Sequence, residues 1–250
     1  MKIFKLLAFS LIYLFPFYVL IWYDNPFLFF ALSVLITLPL NAFAFSTVYH
    51  KMFSHRSFKP RAWVPYVGTY IASLLFLSSP KTYTAQHRLH HRFSDTEYDP
   101  HTPIFGLRFT MFPAFFKNKR LKLPNLELMQ SLVRDIDREY PVISKVTDLH
   151  MFLSFIVTNT IFFYISQDLF VISILTAFMN VMLHGYANTF FHKLNDDGAV
   201  SIVNLPIKAS FISPEFNHAQ HHDNPKSYDF STADAKDFMA PIIERFLIKK

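Results

Sequence analysis

The sequence predicts an all-α integral membrane fold: four transmembrane helices in two hairpins, beneath a cytoplasmic helical cap that is rich in histidine. Three observations carry this prediction. Apolar runs of spanning length come in two closely spaced pairs, the Lys and Arg residues all fall to one side of them, and most histidines cluster at or beyond the ends of the runs. A length of 250 residues suits a single domain, 1–250, with no internal repeat or Gly/Ser linker to divide it.

Residues 3–22 and 27–49 are each long enough to cross a hydrocarbon core, which takes about 20 helical residues. Only Tyr23, Asp24, Asn25 and Pro26 separate them, so the two read as a hairpin. A secretory signal is the alternative for 1–22, but the run is too long and lacks a small-residue cleavage site. A second pair follows at 149–166 and 169–190, again joined by a very short turn. A fifth apolar stretch, Ala62–Pro80, has about the minimum spanning length, so hydropathy alone leaves its course open.

Charge decides that course. With four spans, Lys2, Lys5, the segment 50–148 and the tail 191–250 share one side, which then holds all 24 Lys and Arg residues, while the two tight turns hold none. The positive-inside rule makes this side cytoplasmic, with both termini on it. Ala62–Pro80 is then re-entrant or interfacial. Amphipathic pieces near 125–140 and 236–248 are expected to complete the cap formed by 50–148 and 191–250. The net charge of +6 in so apolar a chain points to anionic lipid head groups or an anionic substrate rather than to nucleic acid.

The chain has no cysteine, which excludes disulfides, thiolate metal sites and cysteine nucleophiles. Nine of its 12 histidines fall into four groups: His50 and His55; His87, His90 and His91; His192, four residues after Asn188; and His218, His221 and His222. On a helix, positions i, i+3 and i+4 share a face, so each HxxHH triplet projects one way. His50 and His55, five apart, lie roughly 140° around an α-helix. Either the helix ends between them or they serve different metals. Neutral imidazole suits iron, zinc or copper. One histidine at a helix end is an ordinary polar surface residue; four spaced groups in a cysteine-free membrane chain form a metal site. If Ala62–Pro80 spanned the bilayer, His50 and His55 would lie opposite the other groups, so the metal site demands the same four-span fold as the charges do.

At these residues the chain resembles the membrane-bound fatty acyl-CoA desaturase family, of the stearoyl-CoA or Δ9 type. The stretch His55-Arg56-Ser57-Phe58-Lys59 is similar to the family's HRS(Y/F)K, and His87 to His101 (HRLHHRFSDTEYDPH) to its HRxHHxxSDTxxDPH run. Asn188–His192 resembles its NxxxH and His218–His222 its HxxHH. The chain departs from the family at Tyr83-Thr84-Ala85-Gln86, where a Trp and an acidic residue are usual. It departs again at Ser213-Pro214-Glu215-Phe216-Asn217, where GE(G/S)WHN is frequent.

The resemblance implies a di-iron centre held by His50, His55, His87, His90, His91, His192, His218, His221 and His222, with Asn188 acting through a metal-bound water. It also implies O2- and di-iron-dependent insertion of a cis double bond, at Δ9, into a saturated acyl chain. The two electrons would come from a separate ferredoxin- or cytochrome-type protein with its reductase. The carrier expected is CoA, with acyl carrier protein or intact lipid as alternatives. Arg56, Lys59, Gln86 and Arg88 are candidates for the head group, with Arg61, Lys117, Lys119, Arg120 and Lys122 as further bases nearby. Val34, Thr37 and His184 are candidates for the wall of an acyl channel; His184 lies about 12 Å deeper than His192 along its helix. His101 is expected to be a loop residue beside the ligands and His150 an interfacial one. The competing readings are a related histidine-rich di-iron hydroxylase or oxygenase, and a metal-binding or transport protein. A transporter would place its ligands near the bilayer midplane, not at the ends of the spans.

Overall fold

The computed structural model describes residues 2–112, 120–122, 124–204 and 213–249. Helix α1 (Lys2–Trp22) and helix α2 (Pro26–Ser54) form one hairpin. Helices α3 (Val64–Leu74) and α4 (Pro80–Phe93) follow, and then three short ones: α5 (Leu107–Met111), α6 (Leu126–Ser131) and α7 (Arg134–Glu139). Helices α8 (Asp148–Ile165) and α9 (Gln167–Phe190) make the second hairpin. Strands β1 (His192–Leu194) and β2 (Val200–Ile202), α10 (His218–Asp223) and α11 (Met239–Ile242) complete the order.

Three helices, α2, α8 and α9, are long and apolar enough to cross a membrane, and α1 is apolar over Leu6–Trp22. Their outer faces carry exposed Leu11, Phe17, Ile21, Leu35, Ile156 and Ile165, side chains that water would not tolerate in such density. The stretch Ala62–Pro80 contains only the 11-residue α3. At 1.5 Å per residue α3 measures about 16 Å, half of a hydrocarbon core. The chain then turns back through Phe76, and Ser79 caps α4 by accepting from the Thr82 N–H.

Helix α9 is central, with α1, α2, α5 and α8 packed around it. Where α2 meets α9 the seam is polar and small. The Ser33 hydroxyl donates to Ile172 O (3.3 Å), the Thr37 hydroxyl lies 3.4 Å from Thr176 O, and Asn41 Nδ2 donates to Asn180 Oδ1 (2.7 Å). These rungs recur every four residues on both helices, the pattern that lets membrane helices approach closely without water.

Two features depart from expectation. First, α2 runs past Tyr49 to Ser54, and from Asn41 onward it winds as a π-helix. Pro39 lacks an N–H and its ring obstructs the carbonyl a turn earlier, and the wider winding starts two residues on. Second, the fold is not purely α. Asn195-Asp196-Asp197-Gly198, with Gly198 at φ 83°, turns β1 back on β2 in an antiparallel hairpin, and His192 opens its first strand. Asn, Asp and Gly at such a turn are the residues that tolerate the backbone a tight hairpin needs.

Gly68 lets α3 lie on the π-wound part of α2. A Cβ there would stand 2.5 Å from Val48 Cγ2 and 2.6 Å from its Cγ1. Gly68→Ala is therefore expected to cost about 1–3 kcal/mol by overpacking. Val48→Ala should recover part of that loss in the double variant; thermal unfolding in detergent measures both. Equal unfolding of wild type and Gly68→Ala would contradict the close approach.

Candidate metal centre

Four segments carry the histidines to one place. His50 projects from the π-wound end of α2, and His55 stands just past that helix as its C-cap, with its N–H bonded to His50 O (3.1 Å). The first alternative for this pair therefore holds: the helix ends between them. An i→i+5 winding also stacks positions five apart, so His50 and His55 meet instead of diverging by the angle an α-helix would set. His87, His90 and His91 come from α4, His218, His221 and His222 from α10, and His192 from the start of β1.

All nine imidazoles converge, in two groups. His50, His55, His87, His91 and His221 form one, and His90, His192, His218 and His222 the other; in each group the ligand atoms lie within 4.8 Å of one another. The two HxxHH helices divide reciprocally. Helix α4 gives its i and i+4 imidazoles to the first group and its i+3 to the second, while α10 does the reverse. The groups therefore interlock, with His91 stacked on His222 at 4.3 Å.

The spacing fits metal ligation. Facing Nε2 atoms are 3.0 Å apart for His50–His221, 2.8 Å for His55–His87, 2.9 Å for His91–His221 and 3.0 Å for His192–His218. Two nitrogens about 2.1 Å from a shared ion and at right angles to each other are ~3.0 Å apart. Burial, and then the neighbouring imidazoles, hold His55, His87, His218, His221 and His222 far below the usual histidine range, and His91 at about 3. The rings are thus neutral at physiological pH, the state in which a nitrogen lone pair can bind a metal.

Carboxylates behind the rings fix their orientation, and the sequence reading assigned them no role. His90 Nδ1 donates to Asp99 Oδ2 (2.9 Å), His192 Nδ1 lies 3.1 Å from Asp95 Oδ2, and His50 Nδ1 lies 2.8 Å from Glu215 Oε2. A donating Nδ1 turns the Nε2 lone pair inward and raises its basicity. Burial acts to raise Asp99 and Glu215, but His90 for the first, and His50, Ser46 and Lys51 for the second, hold both below the ordinary carboxylate range. The signal was present: Asp95 and Asp99 belong to the SDTEYDPH run, and Glu215 stands three residues before His218. Asp99→Asn is expected to weaken metal binding at the His90 group by about 10–100-fold, read by chelator competition. Unchanged affinity would show that Asp99 only pins its loop.

The comparisons with known proteins agree with this geometry. The chain is 33% identical over 88 residues to Delta-9 desaturase-like 4 protein of Arabidopsis thaliana, covering 35% of this chain and 29% of that one. It is 42% identical over 62 residues to Delta-9 acyl-lipid desaturase 2 of the same plant (25% and 20%), and 33% identical over 90 residues to an acyl-CoA 5-desaturase of Anemone leveillei (36% and 28%). No family model matches. The matches span less than a third of the length of these relatives. Over these segments the chain is similar to fatty acid desaturases.

Five of the nine imidazoles, those of His50, His87, His90, His192 and His218, face a cavity of about 330 Å3 whose walls include Tyr13, Phe45, Phe76, Val181 and Phe216. Gln86, Asn188, His101 and His184 also line it. Asn188 Nδ2 reaches His101 Nδ1 at 3.5 Å, and burial, with His90 beside it, pushes His101 down to about 4. His184 donates from Nδ1 to Asn180 O (2.7 Å), which leaves its buried Nε2 as an acceptor. Two residues expected on this wall lie elsewhere. Val34 is 40% exposed on the outer face of α2, and Thr37 is in the α2–α9 seam. Asn41 and Phe45, one and two turns further on, line the cavity instead.

The expected cationic head-group cluster is largely engaged within the protein. Arg88 spends its donors on both Asp135 oxygens and on the carbonyls of Phe53, Ser54 and Leu132, all at 2.6–2.7 Å. It is a bracket holding the end of α2 to Leu132 and the first turn of α7, not a free base. Arg56 pairs with Glu139 (2.7 Å) and Lys122 with Glu97. Lys59 and Arg61 are exposed, each tied through its backbone to the C-terminal segment, and the Arg120 guanidinium lies over the Phe105 ring. Lys117 and Lys119 lie outside the described residues. His150 is exposed and closes a capping box with Thr147 at the start of α8.

Proposed function

We propose that the chain is a fatty acyl desaturase that uses two irons, O2 and two externally supplied electrons to insert a cis double bond into a saturated acyl chain. The observation that carries this reading is the convergence of nine imidazoles, in a group of five and a group of four, beside a largely apolar cavity that five of them line. His50, His55, His87, His91 and His221 would hold one ion. His90, His192, His218 and His222 would hold the other, with Asn188 contributing through a water. Bound iron would supply the O2-derived oxidant needed to remove hydrogen from an unactivated methylene, for which no side chain is basic enough.

The remaining tasks belong to the chain's own residues. Asp95, Asp99 and Glu215 hold the ligand rings in one tautomer and orientation. Phe45, Phe76, Tyr13 and Val181 give the cavity an apolar wall that excludes water and confines an alkyl chain beside the imidazoles. Overall, a –CH2–CH2– unit, O2, two electrons and two protons become –CH=CH– and two waters. The electrons would come from a separate ferredoxin- or cytochrome-type protein with a reductase. Δ9 is the position that the relatives' names favour.

The reading includes a multi-pass topology: α1, α2, α8 and α9 span the bilayer, α3 lies within one leaflet, and the cap and both termini face the cytoplasm in a single domain. Ligands gathered at helix ends, not at mid-bilayer, support an enzyme over a transporter. Expression in a host lacking the activity, followed by fatty-acid analysis, is the test. A new monoene is expected. A hydroxylated acyl product in its place would overturn desaturation in favour of the related oxygenases.

A further inference from the structure

Two cavities meet at the turn between α3 and α4. The larger is the one that the imidazoles face. A smaller one, of about 210 Å3, lies between α1, this turn and the start of α8, and shares Phe9, Phe76, Leu77, Ser78 and Gln86 with the larger. Phe76 stands in the shared wall at φ 59°, a left-handed conformation that a bulky side chain adopts only where its surroundings compel it. Its ring is set edge-on against Phe9 (5.1 Å) and Phe155 (5.0 Å), and it divides the two spaces. Helix α1 packs on α9, and α8 on α3 and α9. The small cavity therefore faces outward between α1 and α8, beside exposed Leu7, Leu11 and Leu149. On α4, Thr82 and Gln86 line it one turn apart, and His90 follows one turn further, in the metal centre.

We propose that this smaller cavity is a second acyl-chain site: a lateral port through which the acyl chain of a bilayer lipid reaches the metal centre, with Phe76 as the divider. The occupant is a membrane lipid chain because Phe9, Leu149, Met151 and Phe152 make most of the wall apolar, the mouth opens on helix faces that suit hydrocarbon, and Phe76 stands in the wall shared with the cavity below the imidazoles. The engagement of Arg56, Arg88 and Lys122 with carboxylates removes much of the charge that a soluble phosphorylated carrier would need. The proposal deepens the desaturase reading and rests on it for the chemistry, but its geometry can be tested separately.

The test uses the full chain in phosphatidylcholine vesicles in which one acyl chain carries a diazirine. After irradiation, cross-links are expected at Ala8, Phe9, Phe76 and 148–152. Ala8→Phe fills only the small cavity. It should cut this labelling, and turnover of vesicle lipid, at least tenfold while leaving iron per chain unchanged. Leu149→Trp, at the exposed mouth, repeats the test if Ala8→Phe does not fold. Phe76→Gly removes the ring and suits the backbone angle, so it should increase labelling at Val181 and Leu183. Labelling of the larger cavity that survives both blocking variants, or labelling of the small cavity by a diazirine acyl-CoA alone, overturns the port. A monoene formed with no cross-link at the port would sink the port and leave the desaturase standing. A labelled port in a loaded protein that forms no double bond would do the opposite.

Discussion

Replacing His221 with alanine is expected to eliminate the monoene and to remove one of two metal ions per chain. His221 has no exposed surface, and its Nε2 lies 3.0 Å from that of His50 and 2.9 Å from that of His91, so it joins α10 to both α2 and α4. Losing it removes the link between three segments as well as a ligand. Hydrogen abstraction from a methylene has no side-chain substitute, so the rate should fall more than about a thousandfold, a barrier increase of roughly 4 kcal/mol or more. Iron content by emission spectrometry and monoene by gas chromatography are the two readouts. His150→Ala is the control: it removes a cap at the start of α8, costs about 1 kcal/mol, and should leave iron and product unchanged. A His221→Ala protein with full iron and normal product would show that the five-histidine group is not a metal site.

The second large effect lies just behind the ligands. Lys51 and Asp237 form an ion pair with 0% and 2% of their surface exposed. Asp237 also accepts the N–H of Phe230 (3.2 Å) and of Met239 (2.9 Å), while Lys51 Nζ lies 4.3 Å from the Phe230 ring centroid. Phe230 also lies against the rings of His50 (5.8 Å between centroids) and His221 (4.8 Å). Asp237→Leu would leave an ammonium buried without a partner, and about 3–5 kcal/mol of stability should be lost. Removing both charges, as Lys51→Met with Asp237→Leu, should restore most of it, since the cost is the orphaned charge and not the missing attraction. Thermal unfolding of the three proteins in detergent decides the matter; equal loss in the single and double variants would mean that the pair itself, not its balance, holds the segment.

What was legible in the sequence was what short-range pattern can carry. The apolar runs became helices almost residue for residue, the short α3 emerged from Ala62–Pro80, and the nine histidines chosen by spacing are the nine that meet. What escaped depends on partners distant in the chain. Arg88 reads as a free base until Asp135 folds against it. Val34 and Val181 look alike in an apolar run, and only the packing of α2 on α9 tells outer face from cavity wall. The i→i+5 winding after Asn41 has no signal beyond Pro39, and the reciprocal sharing of α4 and α10 between the two groups depends on how those helices cross. Glu215, Asp95 and Asp99 were quoted inside motifs, yet their role appears only once a ring nitrogen is seen 2.8–3.1 Å away.

The rungs between α2 and α9 reach further than helix packing. Ser33 with Ile172, Thr37 with Thr176 and Asn41 with Asn180 all keep one constant offset, so the two helices run parallel and cannot slide singly. A slip of one turn would displace His192 by about 5.4 Å relative to His50, more than the gap between neighbouring rings of the two groups. The interval between the two histidine groups is thus gauged several turns below them, by small polar side chains that belong to neither group.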